Sequence, residues 1–559
     1  MLKAVYGVGI GYGVWSLVSL VFAINIATAL YEVARYFLAI VLLFLVMIAV
    51  KQEHTRPLKL CQAVTLVSIV QSLIGVLQSY EIAFADIPGS EMPYGLMVHR
   101  TLFGSAQALL LPFAIFVLYR APKAWKAVGI VAITGIITSV LISQSRSAWL
   151  AAAAAIVSTF ILIIIFSPQN RKKWIMAIVT GLFLITFVIA LVLTTDKDGT
   201  ISKSIKERAS RLIHITSDIN SVSTGRLKLW AKSLQLFKQH PVVGVGPGNW
   251  HLAIPVYTDE NSAWAYGQQV PSWPHNVYLQ VACETGVPGA VLFFCMLVLL
   301  TIVALKTIAN STSEEFRVLN ILMLAGLAAF ATDSLFSFPT ERIEHSIYLV
   351  LMAGIILGSY AGITGAINQK AKPIKRSVLV SILFIILLNL LTGYKKYNFE
   401  KHVNLAKHYR EEKRYSDVIN EVEKGKSGFV TLDPNGEPLE MQSTAAYVEL
   451  EEYNKALFEI QRAVRFHPNS GRVWTTMGVV YAEMQQYDSA IKCYRRALQS
   501  IPHYDVALKN LAGVYFETGD YAACIETAEY VSINNKAGVK ELLEEAQKRL
   551  REKQQYQRH

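Results

Sequence analysis

The stretch LISQSRSAWLAAAAAIVSTFILIIIFS, residues 141–167, decides the fold. Beyond Arg146 it carries no charge, no proline and no glycine for about 20 residues, enough to cross roughly 30 Å of hydrocarbon as a helix. Working outward, ten more apolar runs of this kind lie at about 4–27, 33–50, 60–80, 101–119, 125–143, 174–194, 277–305, 317–338, 345–366 and 376–394. The 559 residues are 53% hydrophobic and 17% charged, whereas a soluble chain carries about 25% charged residues. The pattern predicts an all-α, polytopic membrane bundle of about eleven spans as far as residue 394.

The short loops set the orientation. KQEHTRPLK (51–59), YRAPKAWK (119–126), NRKKW (170–174) and NQKAKPIKR (368–376) are rich in Lys and Arg and alternate consistently, so the positive-inside rule places all four in the cytoplasm. The N-terminus is then inside, and 81–100, 195–276, 339–344 and everything after 394 lie outside. The first apolar run has the charge of a signal peptide but shows no small-x-small cleavage site, so it is read as the first span. The net charge of +12 belongs largely to these loops and does not indicate nucleic-acid binding. The five cysteines show no CxxC or zinc spacing. Cys493 and Cys524 lie together in the soluble tail, and their pairing is left open.

The tail repeats. Trp474, Met477, Gly478, Tyr481, Ala490, Tyr494, Ala497 and Pro502 match the tetratricopeptide spacing of a 34-residue helix–turn–helix. One period back stand Tyr447, Ala456, Ala463 and Pro468; one period forward stand Leu511, Ala512 and Tyr515. A degenerate unit is expected around Tyr409 and Tyr415, and KELLEEAQKRLREK reads as a capping helix. Residues 395–559 are thus an α-solenoid, a fold that presents a concave face to a partner.

Ionisable residues near membrane depth are costly and mark function by default. Arg146 sits in a hairpin too short to carry it far into water. It either snorkels to headgroups or binds an anion, and a planar guanidinium suits phosphate or pyrophosphate. Arg226 opens GRLKLWAKSLQLFKQ, where Leu227, Trp230, Leu234 and Phe237 form an apolar stripe opposite Lys228, Lys232 and Lys238. This predicts an amphipathic helix on the membrane boundary or the bundle top. Arg100 begins the fourth span on the same side, as an anchor or a third anion ligand. His275, in WPHNVYLQ, can accept a proton near neutral pH, or simply cap a helix or satisfy a carbonyl. Glu284 follows nine residues later, beside TGVPG, which should kink its span. GVGPG (244–248) reads as a turn. Lys203, Lys206, Arg208 and Arg211 read as a solvated face, and Asp196 with Asp198 as a surface turn, since a calcium loop in that register would need its acid at Ile205. There is no HExxH, GxSxG or Walker loop.

Together HRTLFGSAQALLLPF, SQSRSAWLA, GRLKLWAKSLQLFKQHPVVGVGPGNW and PHNVYLQVACETGVPGA resemble the O-antigen ligase and polymerase superfamily, which includes bacterial protein O-oligosaccharyltransferases. The resemblance covers about residues 1–394. It implies a metal-independent, cofactor-free inverting glycosyltransferase of the bacterial inner membrane, with a periplasmic repeat domain. The donor it implies is an undecaprenyl-pyrophosphate-linked glycan. His275 matches the proposed general base, and Arg146 and Arg226 match the positions proposed to hold pyrophosphate. Arg100, Glu284 and Asn276 carry over as supporting positions; VHRTLFGS stands where the family often has an asparagine-containing stretch. The acceptor stays open between a protein hydroxyl, favoured by the repeats as a protein-binding array, a lipid A core sugar and a growing polymer. A non-enzymatic scaffold or a transporter is the reading from another class; a transporter would show inverted repeats, and only one broken span is visible.

Overall fold

A computed structural model describes residues 1–52, 55–84, 86–87, 93–167, 223–260, 264–267, 271–365 and 375–556, with 176, 181, 186 and 194. The expected span at 174–194, the loop as far as 222 with its Asp196–Asp198 pair and four basic residues, and most of two basic loops lie outside the described residues. Every regular element among the described residues is a helix. The first six are α1 (Leu2–Leu20), α2 (Ile26–Gln52), α3 (Arg56–Ser79), α4 (Arg100–Arg120), α5 (Lys123–Ile142) and α6 (Arg146–Phe166). After the gap come α7 (Ser223–Gln239), the single turn α8 (Trp250–Ala253), α9 (Val277–Asn310), α10 (Glu314–Asp333), α11 (Ile343–Ile363) and α12 (Arg376–Glu411). Nine described helices are long and apolar enough to cross a membrane: α2 to α6 and α9 to α12. The molecule is a multi-pass membrane protein. Helix α1, diluted by Gly7, Gly9, Gly11 and Gly13, is not among the nine. Gly9 and Gly13 lie against rings of α2, so that a Cβ at Gly13 would meet Phe37 at 2.8 Å.

Helix α4 is the axis of the bundle. Phe103, Ala106, Leu109, Leu110, Phe113 and Ala114 are all fully buried, and α3, α5, α6 and α10 pack around it. Small residues set how closely the others approach. Ala148, Ala151 and Ala155 are the buried face of α6, against which α10 packs. A Cβ on Gly104 would reach Ser143 Oγ at 2.3 Å, which brings the turn before Arg146 onto α4.

Helix α9 is broken as TGVPG predicts: Gly286 has φ 68° and ψ −171°, with Pro288 two residues on. A break frees backbone groups that hydrocarbon cannot satisfy. Here the segment 241–246 supplies partners. Val245 N donates to Cys283 O at 3.0 Å, Gly246 N to Glu284 O at 3.0 Å, and Val287 N to Pro241 O at 2.8 Å. Two glycines make the approach possible. A Cβ on Gly286 would lie 2.0 Å from Val242 O, and one on Gly244 2.3 Å from Glu284 O. GVGPG is a turn, as expected, and also the plug of the broken helix.

The tail forms α13 (Tyr415–Gly425), α14 (Glu440–Glu449), α15 (Tyr453–Phe466), α16 (Gly471–Glu483), α17 (Tyr487–Ser500), α18 (Asp505–Glu517), α19 (Tyr521–Glu529) and α20 (Lys540–Tyr556). Helices α16 and α17 are the repeat read from Trp474 to Pro502. A Cβ on Gly478 would meet Tyr494 at 2.5 Å, which is why that position is glycine. Cys493 and Cys524 are free thiols. Helix α12 continues from the last span into the first tail helix without interruption. The tail then folds back onto the spanning half. Asn25 Nδ2 donates to Thr431 Oγ1 at 2.8 Å and to Phe466 O at 3.0 Å, and Asn469 Nδ2 donates to Leu252 O at 2.9 Å. His503 N donates to Ala265 O at 2.8 Å, and its ring stacks on Tyr266 at 5.0 Å.

Candidate functional site

His275 stands at the mouth of α9, and three contacts hold it there. Asn276 caps the helix, its Oδ1 accepting from Leu279 N at 2.9 Å. Val277 N donates to Ser334 O at 2.9 Å, tying this end of α9 to the end of α10. Trp230 Nε1 of α7 donates to Pro274 O at 2.8 Å. His275 itself has φ 53°, a left-handed backbone unusual outside glycine, of the kind that concentrates at functional sites. Its ring packs edge-on against Phe338 at 5.1 Å, and its Nδ1 is buried without a hydrogen-bond partner among the described residues. Burial, then the charges of Arg226 and His99, hold the imidazole down at about 4, so it is neutral at pH 7.

Arg226 lies one helical turn before Trp230 and therefore faces the same loop. Burial and the neighbouring guanidinium of Arg146 disfavour its charge, while the carboxylate of Asp333 favours it. The charge of Arg226 thus feels that of Arg146 and in turn acts on His275. Arg146 is the first residue of α6, whose N-terminus adds a partial positive charge.

Asp333 was missed in the sequence. It ends α10, is fully buried, and faces the hydroxyls of Ser105 and Ser147 as well as Arg226. Neither of its oxygens has a partner at hydrogen-bond geometry among the described residues. The same holds for Ser334 Oγ, Ser337 Oγ, Arg342 Nε and His345 Nδ1, all within thirteen residues of the chain. His345 Nε2 meets Ser105 Oγ at 2.7 Å. Buried polar atoms are nearly always paired, so a cluster of unpaired ones marks a place where something else binds. The signal was available: DSLFSFPTERIEHS carries five ionisable residues between two spans, and the rule applied to Arg146 applies there too.

Arg100, Asn276 and Glu284 fall differently. Arg100 starts α4, but it is the adjacent His99 whose charge His275 senses, while His99 Nδ1 accepts from Thr101 N at 3.1 Å as the helix cap. Glu284 is buried at the break of α9, accepting from Gln280 Nε2 at 3.2 Å and Trp250 N at 3.4 Å. It supports the plug rather than the histidine. The amphipathic helix is α7, but its faces are rotated from the expected ones. Leu229, Lys232, Ser233 and Leu236 are buried, whereas Leu227 and Leu234 are exposed. Lys232 is drawn inward because its amine donates to Tyr257 O at 2.7 Å and pairs with Asp259 at 2.9 Å. No three or more His, Cys, Asp or Glu side chains converge as a metal site among the described residues.

No curated protein matches the chain. Two crystal structures of MamA are similar at 19% identity and TM-score 0.22, covering 28% of this chain and 82% and 88% of theirs. A MamA structure from Desulfovibrio magneticus RS-1 is similar at 14% identity and TM-score 0.23, covering 29% of this chain and 96% of its own. Residues 471–504 match the tetratricopeptide repeat family. Residues 130–294, which hold Arg146, Arg226 and His275, match the family described as O-antigen ligase. The chain therefore joins a membrane-embedded region of O-antigen ligase type, which implies a glycosyl-transferring enzyme, to a tetratricopeptide tail.

Proposed function

We propose that the protein is a bacterial inner-membrane oligosaccharyltransferase. It moves a glycan whole from an undecaprenyl-pyrophosphate carrier to a serine or threonine hydroxyl of a protein, on the periplasmic face. The observation that carries this reading is Arg226, whose charge is opposed by that of Arg146, favoured by Asp333, and felt by His275. Like charges brought this close favour an anion between them, and a pyrophosphate ester carries the charge and the oxygen acceptors that guanidinium groups bind.

The chemistry follows from the charges. The acceptor oxygen attacks the anomeric carbon as the bond to pyrophosphate breaks, with inversion at that carbon. His275 takes the hydroxyl proton on its imidazole and later releases it to water, a role worth about 10²–10⁴-fold. The leaving group needs its charge held more than it needs a proton. Fixed arginines in a site of low dielectric do that without a metal, and one such donor is worth about 10²–10³-fold. The carboxylate of Asp333 favours the charged form of Arg226. No cofactor enters. An incoming pyrophosphate also offsets the field of Arg226 at His275 and raises its basicity when substrate is bound.

The tail supports a protein acceptor, since repeat arrays of this kind bind polypeptide and this one is fixed on the face that carries His275. The description of the matching family favours a second reading, ligation to lipid A core. Purified full-length protein, given a lipid-pyrophosphate glycan together with serine- and threonine-bearing protein substrates and core oligosaccharide lipid, separates them. Transfer to protein, lost in His275→Ala, is expected. Transfer only to the core lipid would replace the protein acceptor, and no transfer to either would sink the enzyme reading.

A further inference from the structure

The tail and the spanning half enclose a cleft of about 150 Å³. The tail loop 429–436 forms one wall, and Tyr31 and Glu32 of α2, His251 of α8 and Trp273 form the other. We propose that this cleft is a carbohydrate subsite that takes one pyranose ring of a glycan next to His275. The proposal rests on the glycosyl-transfer reading above and adds where the sugar beyond the reacting one is held, and that the tail builds the place.

Size and chemistry agree. Drug-sized ligands occupy pockets of about 300–1,000 Å³, so this cleft admits a single ring. A pyranose has an apolar C–H face and a rim of hydroxyls. Trp273 is half-buried and offers its indole to the cleft. Around it stand partners for hydroxyls: the carboxylate of Glu32, the amine of Lys396, held 4.6 Å over the Tyr31 ring, and the Asn435 amide. His251 Nδ1 is buried without a partner among the described residues. An extended peptide fits less well, because it would need free backbone donors on the loop. The loop spends those on itself: Asn435 N and Glu437 N donate to Asp433 Oδ1, each at 2.9 Å, and Gly436 N donates to Asp433 O at 2.9 Å.

The cleft is coupled to the base by packed rings. Trp273 stacks on Phe338 at 5.8 Å with planes 23° apart, and Phe338 meets His275 at 5.1 Å. On the far side His251 lies 6.1 Å from Trp273 and 6.4 Å from His467 of the tail. The ring is either the second sugar of the donor or a sugar of a glycan acceptor, two sources with one chemistry.

Saturation-transfer NMR on the full-length protein with free hexoses and N-acetylhexosamines tests the cleft without activity. A sugar that contacts the wild type and loses about tenfold in affinity in both Trp273→Ala and Asn435→Ala is expected. Asn435 is an exposed loop residue, so its variant keeps the test valid if Trp273→Ala misfolds. No binding by the wild type, or binding unchanged in Asn435→Ala, overturns the proposal. Kinetics then assign the source. For Asn435→Ala, a tenfold fall in kcat/KM for an oligosaccharide donor relative to a single-sugar donor assigns the ring to the donor. The same fall for a glycan acceptor relative to a sugar-free one assigns it to the acceptor, and equal effects on all substrates overturn the subsite. Sugar binding without any transfer would keep the cleft and remove the enzyme reading instead.

Discussion

Two buried polar clusters in this molecule are built from the same residue types and are opposite in state. In the tail, Lys426 pairs with Glu459 at 3.0 Å and with Glu423 at 2.5 Å, and Ser443 Oγ donates to the other oxygen of Glu459 at 3.1 Å. Arg462 bridges Glu440 at 3.3 Å and Glu459 at 3.8 Å, and His402 meets Glu421 at 2.6 Å. Each charge there has an opposite charge in contact. Around His275, by contrast, the charge of Arg146 opposes that of Arg226, and a run of buried atoms from Asp333 to His345 lacks partners among the described residues. The first cluster holds helices together; the second, on the function proposed above, receives a ligand. The contrast separates structural from functional charge more sharply than residue identity does, since both contain Arg, Glu or Asp, Ser and His.

Substitution breaks the comparison in different currencies. The largest expected effect is on the open cluster: His275→Ala loses about 10²–10⁴-fold in transfer rate, and Arg226→Ala about 10²–10³-fold, with thermal unfolding unchanged. A parallel fall in stability would show the cluster to be structural. In the closed cluster, Glu459→Ala removes one of the two carboxylates of Lys426 and of Arg462, which keep Glu423 and Glu440, and is expected to cost about 1–3 kcal/mol, read as a lower unfolding midpoint of the tail. A silent Glu459→Ala would remove the distinction drawn here. Gly286→Ala tests the plug. The strained backbone alone costs about 1–3 kcal/mol, and the added methyl collides with Val242 O, so limited proteolysis should open residues 241–248 first.

The smallest effect is a pH dependence, and its sign discriminates. His275 is held at about 4 in the free protein, so it is already the free base throughout the neutral range. kcat/KM should therefore be flat in this group above about pH 5 and fall as pH drops through 4, as one protonation does. Bound pyrophosphate raises the imidazole, so kcat should begin to fall at a higher pH than kcat/KM. Identical profiles would mean that no anion sits beside His275.

Nine of the eleven expected spans and the repeat were legible because each follows from a local rule, apolar length or the spacing of Gly478 and Tyr494; a rule of the same kind, a charge stranded at a membrane boundary, singles out the candidates Arg146 and Arg226. Arg226 and Arg146 stand out in sequence because nothing near them can neutralise them. Asp333 and Arg342 obey the same rule but were absorbed into a span end and a short loop, where a lone acid or base also reads as an ordinary boundary residue. Lys232 was misplaced because helical spacing gives the period of a helix and not which face packs inward; the acceptor atoms that turn it inward, Tyr257 O and Asp259, lie more than twenty residues away in sequence. Docking of the tail was illegible for the same reason, since Asn25 and Phe466 meet across most of the chain.

The proposed anion site can be tested without an acceptor. Thermal unfolding of the full-length protein in nanodiscs is measured with and without undecaprenyl pyrophosphate, for the wild type, Arg146→Ala and Arg226→Ala. Ligand at about 100 times its Kd stabilises a one-site protein by about 2.7 kcal/mol. A clear upward shift for the wild type that vanishes in both arginine variants is the expected result. A shift of the same size in all three proteins would contradict it, and would leave the two guanidinium groups without a role.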